Sequence, residues 1–88
     1  MTFERIVNAV EKVKGEPWAA FQGRYGDWGL AMVLYLARMH SGLTLRQIGE
    51  HAGGMDYKAV GANVSRFKRN LESDATIRRK MEQCVAKM

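Results

Sequence analysis

Apolar residues recur along most of this chain with the period of an α-helix, and nowhere with the two-residue alternation of a half-buried strand. Phe3, Ile6, Val7, Val10 and Val13 fall on one amphipathic face, with Glu4, Arg5, Asn8, Glu11 and Lys12 opposite. Thr2 is placed to cap that helix and Gly15 to end it. Pro17 suits the first turn of a short helix, Pro-Trp-Ala-Ala-Phe-Gln, that buries Trp18 and Phe21. The next stretch, Gly-Arg-Tyr-Gly-Asp-Trp-Gly, reads as a loop because of its three glycines. Tyr25 and Trp28 are expected to join Trp18 and Phe21 as an aromatic plug at one end of the core.

Asp27 can cap a third helix, which Gly42 closes. Leu30, Met32, Val33, Leu34, Leu36 and Ala37 make it apolar around most of its circumference, the pattern of a central helix on which others pack. Thr44 and Gln47 have the spacing of a capping box, so a fourth helix begins at Leu45 with Leu45, Ile48 and Ala52 on its core face. Gly53 and Gly54 stop it, and Asp56 caps the fifth helix. On a helical wheel Tyr57, Val60, Val64, Phe67 and Leu71 share one side of that helix. Lys58, Ala62, Ser65 and Arg69 lie opposite, flanked by Arg66, with Asn63 nearer the edge. Ser73 or Asp74 caps a last helix with Ile77, Met81, Cys84, Val85 and Met88 as its inner stripe. The predicted fold is all-α: a compact bundle of five to six helices, one domain over residues 1–88, with a helix-turn-helix at 44–71.

Charge sharpens this picture. Lys58, Arg66, Lys68, Arg69, Arg78, Arg79 and Lys80 face only Glu72 and Asp74 within the same segment. That local excess equals the whole-chain charge of +5, so the rest of the chain sums to zero. A polyanion is the natural partner of such a patch.

Other functions find little to stand on. No apolar run approaches the 18 residues of a membrane span, and the longest is Leu30 to Ala37. The N-terminal stretch carries Glu4 and Glu11 and no signal segment, so a cytoplasmic, nucleoid-associated location is expected. The single cysteine excludes an internal disulfide, and Cys84 reads as a small core residue. His40 and His51 have no Cys or carboxylate at metal-ligand spacing, so no metal or other cofactor is expected. The glycine loop lacks the Gly-Lys-Ser/Thr ending of a phosphate loop. Arg24 can reach either a phosphate or Asp27. No paired carboxylate or base-activated nucleophile points to an enzyme.

The fifth helix therefore carries the functional expectation, which is binding of double-stranded DNA. Lys58, Ala59, Ala62 and Asn63 are the candidates for base edges: Lys suits guanine, Asn suits adenine, and small side chains suit the thymine methyl. Thr44, Arg46, Arg66, Lys68 and Arg69 are the candidates for phosphates, with the start of the fourth helix offering free amides. The alternative is a protein-interaction module, with a helix face docking on a partner or on a second copy in a homodimer.

The run from Gly29 to Val60, with Tyr35-Leu36, Ile48-Gly49, Gly53-Gly54, Asp56 and Val60, resembles the C-terminal DNA-binding domain of the bacterial replication initiator DnaA. It is also similar to the initiator-like tail of some repeat-associated tyrosine transposases. The resemblance covers most of the chain and implies a Trp-repressor-like helical fold in a replication, transposition or regulatory setting. The initiator's signature continues Arg-Asp-His-Thr-Thr-Val where this chain has Met55-Asp56-Tyr57-Lys58-Ala59-Val60. The resemblance thus implies the scaffold together with a different DNA target. The transposases' His-hydrophobic-His motif is absent, so only the tail is represented.

Overall fold

Short polar residues punctuate the chain, and most of them open a helix in the computed structural model, which describes all 88 residues. Thr2 Oγ1 accepts from the Arg5 amide at the start of α1 (Phe3–Lys14). The short α2 (Trp18–Phe21) has no side-chain cap of its own after Pro17; instead its first amide donates to Glu11 Oε2 at 2.6 Å. Asp27 caps α3 (Trp28–His40) by accepting from the Gly29 amide, and Thr44 caps α4 (Leu45–His51). Asp56 opens α5 (Tyr57–Ser73), and Asp74 opens α6 (Ala75–Lys87). Of the two residues proposed to cap the last helix it is Asp74 that does so, receiving the amides of Thr76 and Ile77, while Ser73 ends α5. The fold is all-α with six helices and no strand.

The central helix is α3. Both α1 and α5 pack on it, α6 spans from α1 to α5, and α4 lies against α5 and α3. Met32, Val33, Leu34 and Leu36 are wholly buried, as the apolar circumference of α3 demands, and meet Ile6, Val10, Phe21, Ile48 and Val60 in one core. No helix is long and apolar enough to cross a membrane.

Two expectations about the core fail. Tyr25 is 81% exposed and takes no part in the aromatic plug, which consists of buried Phe21 with Trp18 edge-on to it at 5.2 Å. Trp28 is half-buried, held between the ammonium groups of Lys14 at 5.4 Å and Lys80 at 4.8 Å. Val85 is exposed because Cys84, one position earlier, takes the place facing the core, and the helix turns the next side chain outward.

An ion cluster ties α1 to the start of α3. Lys14 Nζ lies 2.6 Å from Glu16 and 3.2 Å from Asp27, and the Lys14 and Asp27 side chains are almost fully buried. Arg24 joins Asp27 at 3.1 Å and Glu16 at 3.3 Å, and donates to the Ala20 carbonyl. Arg24 is thus committed to the fold.

Candidate nucleic-acid interface

The reciprocal cap that the Thr44 and Gln47 spacing predicts is present: Thr44 Oγ1 accepts from the Gln47 amide at 3.1 Å, and Gln47 Oε1 accepts from the Thr44 amide at 2.9 Å. The turn that follows is organised by a single carbonyl. Gly49 O accepts from the amides of Ala52, Gly54 and Met55 at 3.2, 3.0 and 2.8 Å. Gly53 and Gly54 both have φ near +87°, in the left-handed region that a side chain disfavours. Asp56 Oδ1 then accepts from the Lys58 amide at 2.7 Å and starts α5. Each hydrogen bond is local, so the short polar and glycine positions alone set the path from α4 into α5. Across that path, a Cβ on Gly61 would sit 3.4 Å from Leu45 Cδ1, so α4 and α5 are in close contact.

With its buried side set by Val60, Asn63 and Phe67, α5 turns Lys58, Ala62, Ser65, Lys68 and Arg69 into solvent. No carboxylate lies within ion-pairing distance of Lys58, Lys68 or Arg69. These three cations contrast with Lys14 and Arg24, which both pair with Glu16 and Asp27. Ala59 is half-buried on the flank of the same helix. Arg46 projects from α4 with its guanidinium 4.8 Å from the ring centre of exposed Tyr57, joining the two helices at the surface by a cation–π contact.

Asn63 does not point where the sequence placed it. It is 8% exposed, and its Nδ2 donates to the Ala59 carbonyl at 2.8 Å, so the amide lies under α5 and away from its outer face. The wheel put Asn63 at the edge; α6 and the start of α3 extend the packed side far enough to cover it. Arg66 is likewise shifted. It is half-buried on the flank of α5, its guanidinium 5.9 Å from the Tyr25 ring. Thr44 is exposed, with its amide and its hydroxyl oxygen engaged in the cap.

No family model matches the chain, and neither the curated proteins nor the solved structures include a match.

The rest of the basic segment divides. Arg78 donates to the Leu71 carbonyl at 2.6 Å, so it helps close the end of α5, and Lys80 lies over Trp28. Arg79 is exposed. No group of three or more His, Cys, Asp or Glu side chains converges; His51 stacks on Phe3 at 5.0 Å. Tyr25, beside Arg66, is one of two surface residues, with Val85, that pattern reading assigned to the interior. The available signal for Tyr25 was its place in a glycine-rich loop, which supplies few neighbours to bury a ring.

Proposed function

We propose that α4 and α5 form a helix-turn-helix that binds double-stranded DNA, with α5 entering the major groove. The observation that carries this reading is the solvent face of α5, on which Lys58, Lys68 and Arg69 stand without carboxylate partners around small Ala62 and Ser65. Unpaired cations around a narrow strip of small side chains suit a helix that approaches a polyanion closely. Lys58, Ala59 and Ala62 are assigned to base edges. Arg46, Lys68 and Arg69 are assigned to phosphates, with Arg66 and exposed Tyr25 reaching the backbone at the flank. Asn63 leaves the reading set, because its amide is spent inside the fold. The resemblance to initiator-type domains supports the scaffold, and Tyr57, Lys58 and Ala59 at the reading positions give this chain a target of its own.

Selection from a random DNA library, followed by titration of the enriched site across salt concentrations, tests the proposal. Five cations on phosphates and bases give a log–log slope of about −4 to −5. An affinity that ignores salt, or a library that yields no enriched sequence and no retained DNA, overturns it.

A further inference from the structure

Tyr57 shares one side of α5 with Val60, Val64, Phe67 and Leu71, and those four all enter the core or pack against it. Tyr57 does neither. It opens α5 directly after the cap Asp56, with 39% of its surface in solvent. What the ring meets there is a charge from the other helix of the motif, the Arg46 guanidinium, 4.8 Å from the ring centre.

Arg46 has an acid close by in sequence and does not use it. Glu50 stands one turn farther along α4, at the spacing of a helical ion pair, yet the two form none. Arg5, Arg24, Arg38 and Arg78 each donate to a backbone carbonyl, as Arg46 does not. Its guanidinium turns instead from α4 toward the first residue of α5. A cation–π contact consumes none of the guanidinium's hydrogen-bond donors, so the groups that grip a phosphate stay unspent.

We infer that Tyr57 is a positioning residue for DNA binding: its ring holds Arg46 beside α5, where the guanidinium meets a phosphate at the edge of the groove. The inference rests on the DNA-binding reading and adds to it a role for a residue without charge. A free arginine side chain loses rotamer freedom when a phosphate captures it, and one already resting on a ring loses less. Tyr57 therefore raises affinity through Arg46 and not through a contact of its own. Lysine at position 46 would keep the charge but lose the planar, multi-donor head that the ring presents.

The test uses the full chain, the duplex enriched by selection, and a double-mutant cycle on the two residues. Tyr57→Leu is expected to weaken binding about two- to fivefold, the worth of an exposed cation–π contact, with the salt slope unchanged. Arg46→Ala is expected to lower that slope by about one. In the Arg46→Ala background Tyr57→Leu is expected to cost nothing further. Tyr57→Phe, which keeps the ring, is expected to bind as the parent does. The free protein supplies a readout that needs no DNA: the Arg46 Nε–H resonance is expected to be displaced by the ring current in the parent and in Tyr57→Phe, and to return to the position of a solvated arginine in Tyr57→Leu. Equal losses from Tyr57→Leu with and without Arg46 mean that Tyr57 touches DNA itself, and overturn the inference. So does an Arg46 resonance that ignores the ring. If Arg46 rests on the ring but no duplex is retained, the DNA-binding reading is what fails, and the positioning role falls with it.

Discussion

The carbonyl oxygen of Met55 occupies the space in which a side chain on Gly49 would begin. Gly49 sits in ordinary helical backbone, so this glycine is required by contact and not by its dihedral angles. The same residue supplies the carbonyl that gathers three turn amides. Gly49→Ala is therefore expected to push the turn apart and cost about 1–3 kcal/mol, or a fall of roughly 5–20 °C in Tm. Gly61→Ala, whose new methyl meets only the tip of Leu45 at 3.4 Å, is the control and is expected to change Tm little, with the better helix propensity of alanine offsetting the contact. Thermal melts of the two variants side by side decide this; equal losses contradict it.

The ion cluster of Lys14, Glu16, Arg24 and Asp27 predicts a definite acid limb of stability. For Asp27, burial pushes the carboxyl up, but the Gly29 amide, Lys14 and Arg24 outweigh it and hold the carboxyl below its ordinary 3.8. The hydrogen bond from Lys14, then that from Arg24, holds Glu16 below its ordinary 4.5. Both groups bind protons less readily folded than unfolded. Their contribution is therefore complete above about pH 5 and is lost as the pH falls through the carboxylate range. Asp27→Asn retains the helix cap but leaves Lys14 with one acid, and is expected to cost about 2 kcal/mol at pH 7. Its Tm-against-pH curve is expected to flatten below pH 4.5 relative to the parent. Parallel curves at all pH values contradict the assignment.

What was legible in the sequence follows a physical division. Caps and helix stops act within four residues, so Thr2, Asp27, Thr44 and Asp56 could be placed from spacing alone, and so could the apolar circumference of α3. Asn63 and Tyr25 could not, because their exposure depends on where α6 and the α2–α3 loop come to rest. A wheel divides one helix into two faces; it cannot say that the start of α3 and α6 reach as far round α5 as Asn63. The solvent side of Lys58, Ala62 and Arg69 was readable because it lies directly opposite the packed side, where errors of width do not reach.

Cys84 is wholly buried, and burial pushes its thiol up to about 11. At neutral pH the thiolate that attacks disulfide reagents is almost absent, and the reagent cannot reach it. Labelling of the native protein with a chromogenic disulfide is expected to proceed at the rate of opening, and to accelerate by orders of magnitude in denaturant. Rapid labelling at pH 7 in the absence of denaturant contradicts this placement of α6.

The last prediction separates the two sides of α5. Under the DNA-binding proposal, Lys58→Ala is expected to weaken the selected site by about 1–3 kcal/mol and to relax preference at one base pair. Lys68→Ala and Arg69→Ala are expected to weaken all sequences alike, each lowering the salt slope by about one. Asn63→Ala behaves differently, because its amide bonds to Ala59 beneath the helix. It is expected to lower stability by about 1 kcal/mol while leaving the base preference of the folded protein unchanged. Competition titrations with single-base variants of the selected site, run below the melting transition of every mutant, distinguish these cases. A changed base preference in Asn63→Ala, or an unchanged one in Lys58→Ala, means that α5 presents a different face to the groove.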